Sequence, residues 1–140
     1  MDKALSLLAL ARKGGIAELG EEPVGGAARG GKAYVILVAK DASDHTWRRA
    51  KSFAAGTEQQ CVRLPWTKDQ LGAAIGRDTL AIAAITDVQM ALALVAALPQ
   101  EESNKPALEV LTAKASKAKQ RQQEAKAHQR NLRRGKKHMK

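Results

Sequence analysis

The chain has 140 residues, of which 44% are hydrophobic, so it can form one domain of ordinary size. No stretch approaches the roughly 18 consecutive apolar residues that a membrane-spanning helix needs, and the N-terminus lacks the pattern of a signal peptide. The single cysteine, Cys61, excludes an internal disulfide, which is typical of a reducing compartment. We therefore expect a cytoplasmic protein with no membrane partner.

The net charge of +10 is concentrated at one end of the chain. Residues 1–112 contain 13 Lys and Arg and 13 Asp and Glu, whereas residues 113–140 contain 11 and 1. A neutral body with a cationic tail is typical of proteins that meet a polyanion, most often nucleic acid.

Helix and strand patterns alternate from the N-terminus. Apolar residues at helical spacing predict a first helix over residues 2–13, which a pair of glycines ends. Residues 16–19 are short and extended and predict a minor edge strand. Glu21 and Glu22 suit the first turn of a second helix, because carboxylates stabilise a helix N-terminus. We expect this helix to end near Arg29.

The stretch from Tyr34 to Val38 is the element around which the sequence is arranged. It is an unbroken, mostly β-branched apolar run, short enough for a strand and without a polar face. We predict a central strand that is buried on both sides. A polar segment from Lys40 to Ser43 follows it, and ligands of open α/β sheets bind at such edges.

The alternation continues through the middle of the chain. Helix caps are predicted at Ser43 or Asp44, at Thr67 and at Asp87. The three helices are predicted to end near residues 55, 74 and 98, and strands are predicted at residues 61–64 and 80–85. Trp47 lies on the apolar stripe of the first of these helices and is predicted to be part of the core.

This order of elements predicts an α/β fold, a three-layer α-β-α sandwich around a small mixed four-stranded sheet. We divide the chain into a domain at residues 1–99, a linker or short helix at residues 100–112 and a basic C-terminal tail at residues 113–140. From Lys114 onward, Lys and Arg recur without a sustained apolar stripe. The tail is therefore predicted to be disordered or loosely helical until a partner neutralises it.

Five segments of the chain carry a family resemblance through their order and spacing. They read LLALARKGG, GEE, VILVAKDAS, LGAAIG and AAITD, at residues 7–15, 20–22, 35–43, 71–76 and 83–87. Together they resemble the ribosomal-protein superfamily of L-seven-Ae, L-thirty-e, S-twelve-e and Gadd-forty-five, in particular its small bacterial ribosomal-protein-like branch. The resemblance covers residues 2–98.

The resemblance implies an α-β-α sandwich that binds RNA, typically a kink-turn, with a helix N-terminus against two sheared G·A pairs. In the family that helix begins with a Gly-Thr-Asn-Glu-Val-Thr-Lys type of sequence. Here the glycine matches Gly20. The asparagine falls on Glu22, the glutamate on Pro23 and the lysine on Gly26.

The resemblance also implies which domain residues contact RNA. They are Gly20 and Glu21 at the start of the second helix, Lys40 at the exit of the central strand, and Arg77 in the loop before the last strand. Alternatively, Glu21 is a carboxylate that matches the helix dipole, and Lys40 and Arg77 are solvated surface charges.

The tail is expected to bind phosphates through its basic residues. Neutralising about 6–10 phosphates makes affinity fall about 10³–10⁵-fold between about 50 and 200 mM salt, without reading sequence. The alternative is a solubilising tail without a partner. The expected contacts are Lys114, Lys117, Lys119, Arg121, Lys126, Arg130, Arg133, Arg134, Lys136 and Lys137, with Lys140 at the end of the chain.

No catalytic, metal or cofactor site is predicted from the sequence. His45, His128 and His138 lack the spacing of metal ligands, with Cys61 as the only thiol. No nucleophile is paired with a base, and the glycine pairs do not form a phosphate-binding loop.

We therefore predict a non-enzymatic RNA-binding protein, ribosome-associated or ribosomal-protein-like and monomeric when free. Its partner is rRNA or another structured RNA, held by the folded domain, while the tail holds phosphate backbone. The alternative is an assembly module of the translation machinery that has lost kink-turn recognition and docks on ribosomal proteins or translation factors. A small enzyme is the least favoured interpretation.

Overall fold

The computed structural model describes residues 2–138, with side chains described for residues 2–132. The predicted α/β class with a mixed four-stranded sheet is confirmed, and predicted element bounds differ from the observed ones by a residue or two through α5. The elements are α1 (Lys3–Lys13), β1 (Ala17–Leu19), α2 (Glu21–Arg29), β2 (Val35–Val38), α3 (Asp44–Ala54), β3 (Gln60–Arg63), α4 (Lys68–Ile75), β4 (Ile82–Ile85), α5 (Val88–Ala96), a 3₁₀ helix (Glu102–Asn104) and α6 (Lys105–His138).

Local hydrogen bonds fix where the helices begin. Thr67 and Gln70 form a reciprocal capping box at the start of α4. Ser43, rather than Asp44, caps α3, and its hydroxyl accepts a 3.1 Å hydrogen bond from the amide of Thr46. The first amides of a helix have no partner within it, so these side chains stabilise both starts.

The sheet has the strand order β1-β4-β2-β3. β2 pairs in parallel with β3, whereas β4 is antiparallel to both β2 and β1. Strands β1, β2 and β3 therefore end at the same edge of the sheet, where α2, α3 and α4 begin. We call this edge, formed by Gly20, residues 40–43 and residues 64–67, the strand-exit edge.

Two groups of helices enclose the sheet. α2 and α3 contact each other and the sheet, while α1 contacts α4 and α5 in the second group. All residues of β2 and β4 are buried, as expected for the two central strands. In α3 only Ala50 is buried, and Trp47 is half-buried against the core rather than enclosed in it.

The C-terminal region departs from the predicted division of the chain. Residues 105–112 of the predicted linker and residues 113–138 of the predicted tail form one continuous helix, α6. Ala107, Leu111 and Ala115 are buried at one-turn spacing, and the Gln89 side chain donates a 3.1 Å hydrogen bond to the carbonyl of Ala115. The domain therefore extends to about residue 118, and α6 beyond it has exposed side chains through Leu132.

No helix within residues 2–138 combines the length and the apolar composition needed to cross a bilayer.

Candidate nucleic-acid interface

Gly20 and Glu21 lie at the strand-exit edge, where the domain already engages their polar groups. Gly20 is the N-cap of α2 with φ +98°, and its amide donates a 3.0 Å hydrogen bond to the carbonyl of Ile82. The Glu21 carboxylate accepts a 3.2 Å hydrogen bond from the Thr46 hydroxyl and lies 3.9 Å from Nε of Arg49. These contacts tie the start of α2 to β4 and α3.

The loops that follow β2 and β3 are held together at the same edge. The amide of Lys40 donates a 2.9 Å hydrogen bond to the carbonyl of Trp66. The Asp41 carboxylate accepts a 2.7 Å hydrogen bond from the amide of Lys68, the first residue of α4. Because the backbone of Lys40 is fixed in this way and its side chain is exposed, its ammonium group projects from an ordered loop.

Arg77 is exposed but lies at the far end of α4 from Lys40. Its amide donates a 2.8 Å hydrogen bond to the carbonyl of Gly72, and the guanidinium of Arg12 contacts the carbonyl of Ile75 nearby. α4 has 8 residues, which separates its two ends by about 12 Å. The structure therefore groups Gly20, Glu21 and Lys40 at one edge and leaves Arg77 apart from them.

A groove of about 450 Å³ lies beside β3, an edge strand of the sheet. Lys40 stands at one end of it, and the segment that connects α5 to α6 forms its other wall. We call it the β3 groove. It is lined by Lys40, Trp47, Cys61, Val62, Arg63, Leu64, Pro65, Pro99, Glu101, Ser103 and Asn104.

Two cations lie close to the indole ring of Trp47, and one of them, Arg63, lines this groove. The guanidinium carbon of Arg63 lies 4.8 Å from the ring centroid, and the ammonium nitrogen of Lys51 lies 5.4 Å from it. Such cation–π contacts hold long side chains in place. The ring therefore serves to position positive charge. Arg63 and Lys40 bring two cations to the groove, where they can contact phosphate oxygens, and the carboxylate of Glu101 also lines it.

The thiol of Cys61 also borders the groove. Burial raises its pKa to about 11, so the thiol is neutral at physiological pH. Because the thiolate is the reactive form, this cysteine is suited to packing and not to nucleophilic chemistry.

Sequence reasoning missed Arg63 and the exposed side of Trp47. In β3, Val62 and the following Leu64 are buried, and the alternation of a strand turns Arg63 to the opposite face. That alternation is a signal in the sequence. The packing of α3 across this face of β3, which brings Trp47 beside Arg63, is a tertiary contact without a sequence signature.

The basic residues of α6 fall into an anchoring part and an exposed part. The ammonium of Lys114 lies 2.7 Å from the Glu58 carboxylate and 5.9 Å from the ring centroid of Tyr34, and the hydrogen bond from Lys114 lowers the pKa of Glu58. The exposed residues are Lys117, Lys119, Arg121, Lys126 and Arg130. Arg133, Arg134, Lys136 and Lys137, together with Lys140, lie outside the residues whose side chains are described.

Among the side chains of residues 2–132, no group of three His, Cys, Asp or Glu lies close enough together to hold a metal ion.

Comparison with known proteins supports the fold. No protein-family model matches the chain, and no curated protein matches it. A solved structure of a protein of unknown function from Bacillus halodurans is similar, with 26% identity and a TM-score of 0.65, over 69% of this chain and 97% of that chain.

Proposed function

We propose that this protein binds structured RNA, with the β3 groove and strand-exit edge as the domain contact and α6 as the phosphate contact. The observation that carries the proposal is the separation of charge: residues 1–118 have net charge +2, and residues 119–140 have net charge +8. A polyanion is the natural partner of so concentrated a cationic segment. The resemblance of residues 2–98 to an RNA-binding superfamily favours RNA.

The domain contact is supported by three cations on ordered supports. Lys40 projects from a loop that is hydrogen-bonded to Trp66, and Arg63 and Lys51 flank the ring of Trp47. Charges held in fixed positions discriminate between shapes of a phosphate backbone, because a folded RNA presents its phosphates in a fixed arrangement. In this proposal the domain selects structured RNA and α6 adds affinity.

The division of roles is tested with the full chain and with residues 1–118. Cutting after residue 118 keeps Ala107, Leu111 and Ala115, whose burial holds α6 on the domain. Filter binding compares a kink-turn RNA with an unstructured RNA of equal length. We expect the full chain to bind both, with the kink-turn RNA preferred, and residues 1–118 to bind more weakly with the same preference.

Equal affinity of the full chain for both RNAs, with no binding left in residues 1–118, would remove the domain from RNA recognition. No binding of either RNA by the full chain would overturn the proposal. Retention of ribosomal proteins by the full chain after nuclease digestion would instead favour the alternative of a protein-docking module.

The groove is tested by two substitutions that remove the same charge at different places. Arg63→Gln takes the guanidinium from the Trp47 ring in the β3 groove, and Arg77→Gln takes one from the far end of α4. We expect Arg63→Gln to reduce the preference for the kink-turn RNA by about tenfold, since a contact to a charged group contributes about 1.5–3 kcal/mol. Arg77→Gln should leave the preference within about twofold. A larger loss of preference in Arg77→Gln than in Arg63→Gln would instead place the contact surface at the far end of α4.

A further inference from the structure

Three exposed cations lie along one face of α6. Successive residues of an α-helix are rotated by about 100°, so Lys119, Lys126 and Arg130 lie within about 40° of one another. All three side chains are exposed. We call these three residues the basic stripe. The same spacing continues in the sequence at Arg133 and Lys137.

Two other exposed cations of α6 lie on the opposite side. Lys117 and Arg121 are rotated by about 140–180° from Lys126. They line a recess together with Tyr34 and Glu58 of the domain. Lys117 and Arg121 therefore lie beside the folded domain, whereas the basic stripe lies on the other side of α6, on the part of the helix beyond residue 118.

The face that carries the basic stripe contains no acidic residue. Glu124 is rotated by about 140° from the mean direction of the stripe, and its carboxylate accepts a 3.4 Å hydrogen bond from the Gln120 side chain. Gln122 and Gln123 flank the stripe and supply neutral hydrogen-bonding groups. The arrangement is a row of cations with amides beside it, over about 16 Å of helix between Lys119 and Arg130.

We propose that the basic stripe binds the sugar-phosphate backbone of double-helical RNA. This inference rests on the proposed function and deepens it by naming the form of RNA that α6 contacts. A duplex presents phosphates as a continuous, regular row, which a rigid row of cations matches. Proteins that hold unpaired strands stack bases on aromatic rings, whereas residues 105–140 contain no Phe, Tyr or Trp.

Two double variants of the full chain with equal charge test the inference. Lys126→Gln with Arg130→Gln removes two cations of the stripe, and Lys117→Gln with Arg121→Gln removes two cations from the opposite side of the helix. Fluorescence anisotropy measures the affinity of each for a blunt RNA duplex, for one of its strands and for a DNA duplex of the same sequence. Thermal unfolding of each variant checks that the domain remains folded.

We expect the unsubstituted chain to prefer the RNA duplex to the other two. The stripe variant should lose about tenfold or more in affinity for it, and the variant on the other side less than about threefold. Equal losses of duplex affinity in the two variants would mean that the position of the charges on the helix does not matter. That result would overturn the inference while leaving RNA binding intact. Equal or tighter binding of the DNA duplex would overturn the assignment to RNA. No binding of either RNA would instead overturn the proposed function.

A third variant tests whether duplex binding depends on the alignment of the charges along the helix or only on their number. Ala127→Pro leaves every charge in place but breaks the helix between Lys126 and Arg130, since proline lacks the amide hydrogen that a helix interior needs and its ring clashes with the preceding turn. Ala127→Ser is the matched control. We expect the proline variant to lose about tenfold in duplex affinity while the serine variant keeps it. Unchanged duplex affinity in the proline variant would also overturn the inference.

Discussion

At the scale of single residues, Gly72 determines how closely the loop after α4 packs on that helix. A Cβ atom at Gly72 would lie 2.7 Å from the carbonyl carbon and oxygen of Asp78 and from Cα of Thr79. Backbone atoms cannot rotate aside as a flexible side chain can. We expect Gly72→Ala to lower the free energy of unfolding by about 1–3 kcal/mol in urea denaturation.

Gly26 is the matched control for this substitution. It lies in α2, is exposed, and a Cβ atom there would have no neighbour within 4 Å. Gly26→Ala should raise the free energy of unfolding by about 0.4–1 kcal/mol, because alanine restricts the unfolded chain. Loss of stability at both positions would show that packing at Gly72 is not the cause.

Cys61 gives a second test at the same scale, since burial raises the pKa of its thiol from 9.0 to about 11. At pH 8 the folded chain then has about a hundredfold less thiolate than an unperturbed thiol has. Alkylation by iodoacetamide should be slow in the folded protein and fast in denaturant. Because the folded chain holds the thiol proton more tightly than the unfolded chain, this group leaves the free energy of unfolding unchanged below about pH 9.0 and lowers it as pH rises toward 11. Cys61→Ser should remove this part of the pH dependence of the free energy of unfolding. Rapid alkylation of the folded protein would contradict the burial of the Cys61 thiol.

At the scale of elements, the attachment of α6 depends on a short apolar stripe. Leu111 is fully buried at the centre of that stripe, between Ala107 and Ala115. We expect Leu111→Ala to lower the free energy of unfolding by about 2–4 kcal/mol through the cavity that it leaves. Glu109→Ala, at an exposed position of the same helix, should change it by less than about 0.5 kcal/mol. Similar effects of the two variants would mean that α6 does not pack on the domain.

The elements up to α5 could be predicted because their signals are local. Apolar periodicity placed β2 and β4, and the caps at Ser43 and Thr67 placed α3 and α4. The junction of α6 with the domain could not be predicted in the same way. Two of the three residues in its buried stripe are alanines, which sequence periodicity does not distinguish from the alanines of a solvated helix.

At the scale of the whole molecule, the unequal distribution of charge could be predicted and the arrangement of strands could not. Counting residues places the excess of cations in the C-terminal segment. The order β1-β4-β2-β3 depends on pairing between distant segments, and together with the packing of α3 on β3 it brings Lys40, Arg63 and Trp47 to one groove. Lys40 was accessible to sequence reasoning because it follows the central strand. Arg63 acquires its role from the position of α3.

The two parts of the molecule should differ in how salt affects RNA binding. Each phosphate neutralised on a duplex contributes about −0.9 to the slope of log affinity against log salt. Residues 119–140 contain 9 Lys and Arg and one Glu, so we expect the full chain to have a steep slope and residues 1–118 a shallow one. The full chain with Arg77→Gln is the control, and its slope should stay close to that of the unsubstituted chain. Titration of RNA binding between about 50 and 200 mM salt measures all three slopes. An equal slope for the full chain and for residues 1–118 would mean that the phosphates are neutralised by the domain. The exposed cations of α6 beyond residue 118 would then be solvated charges without a role in binding.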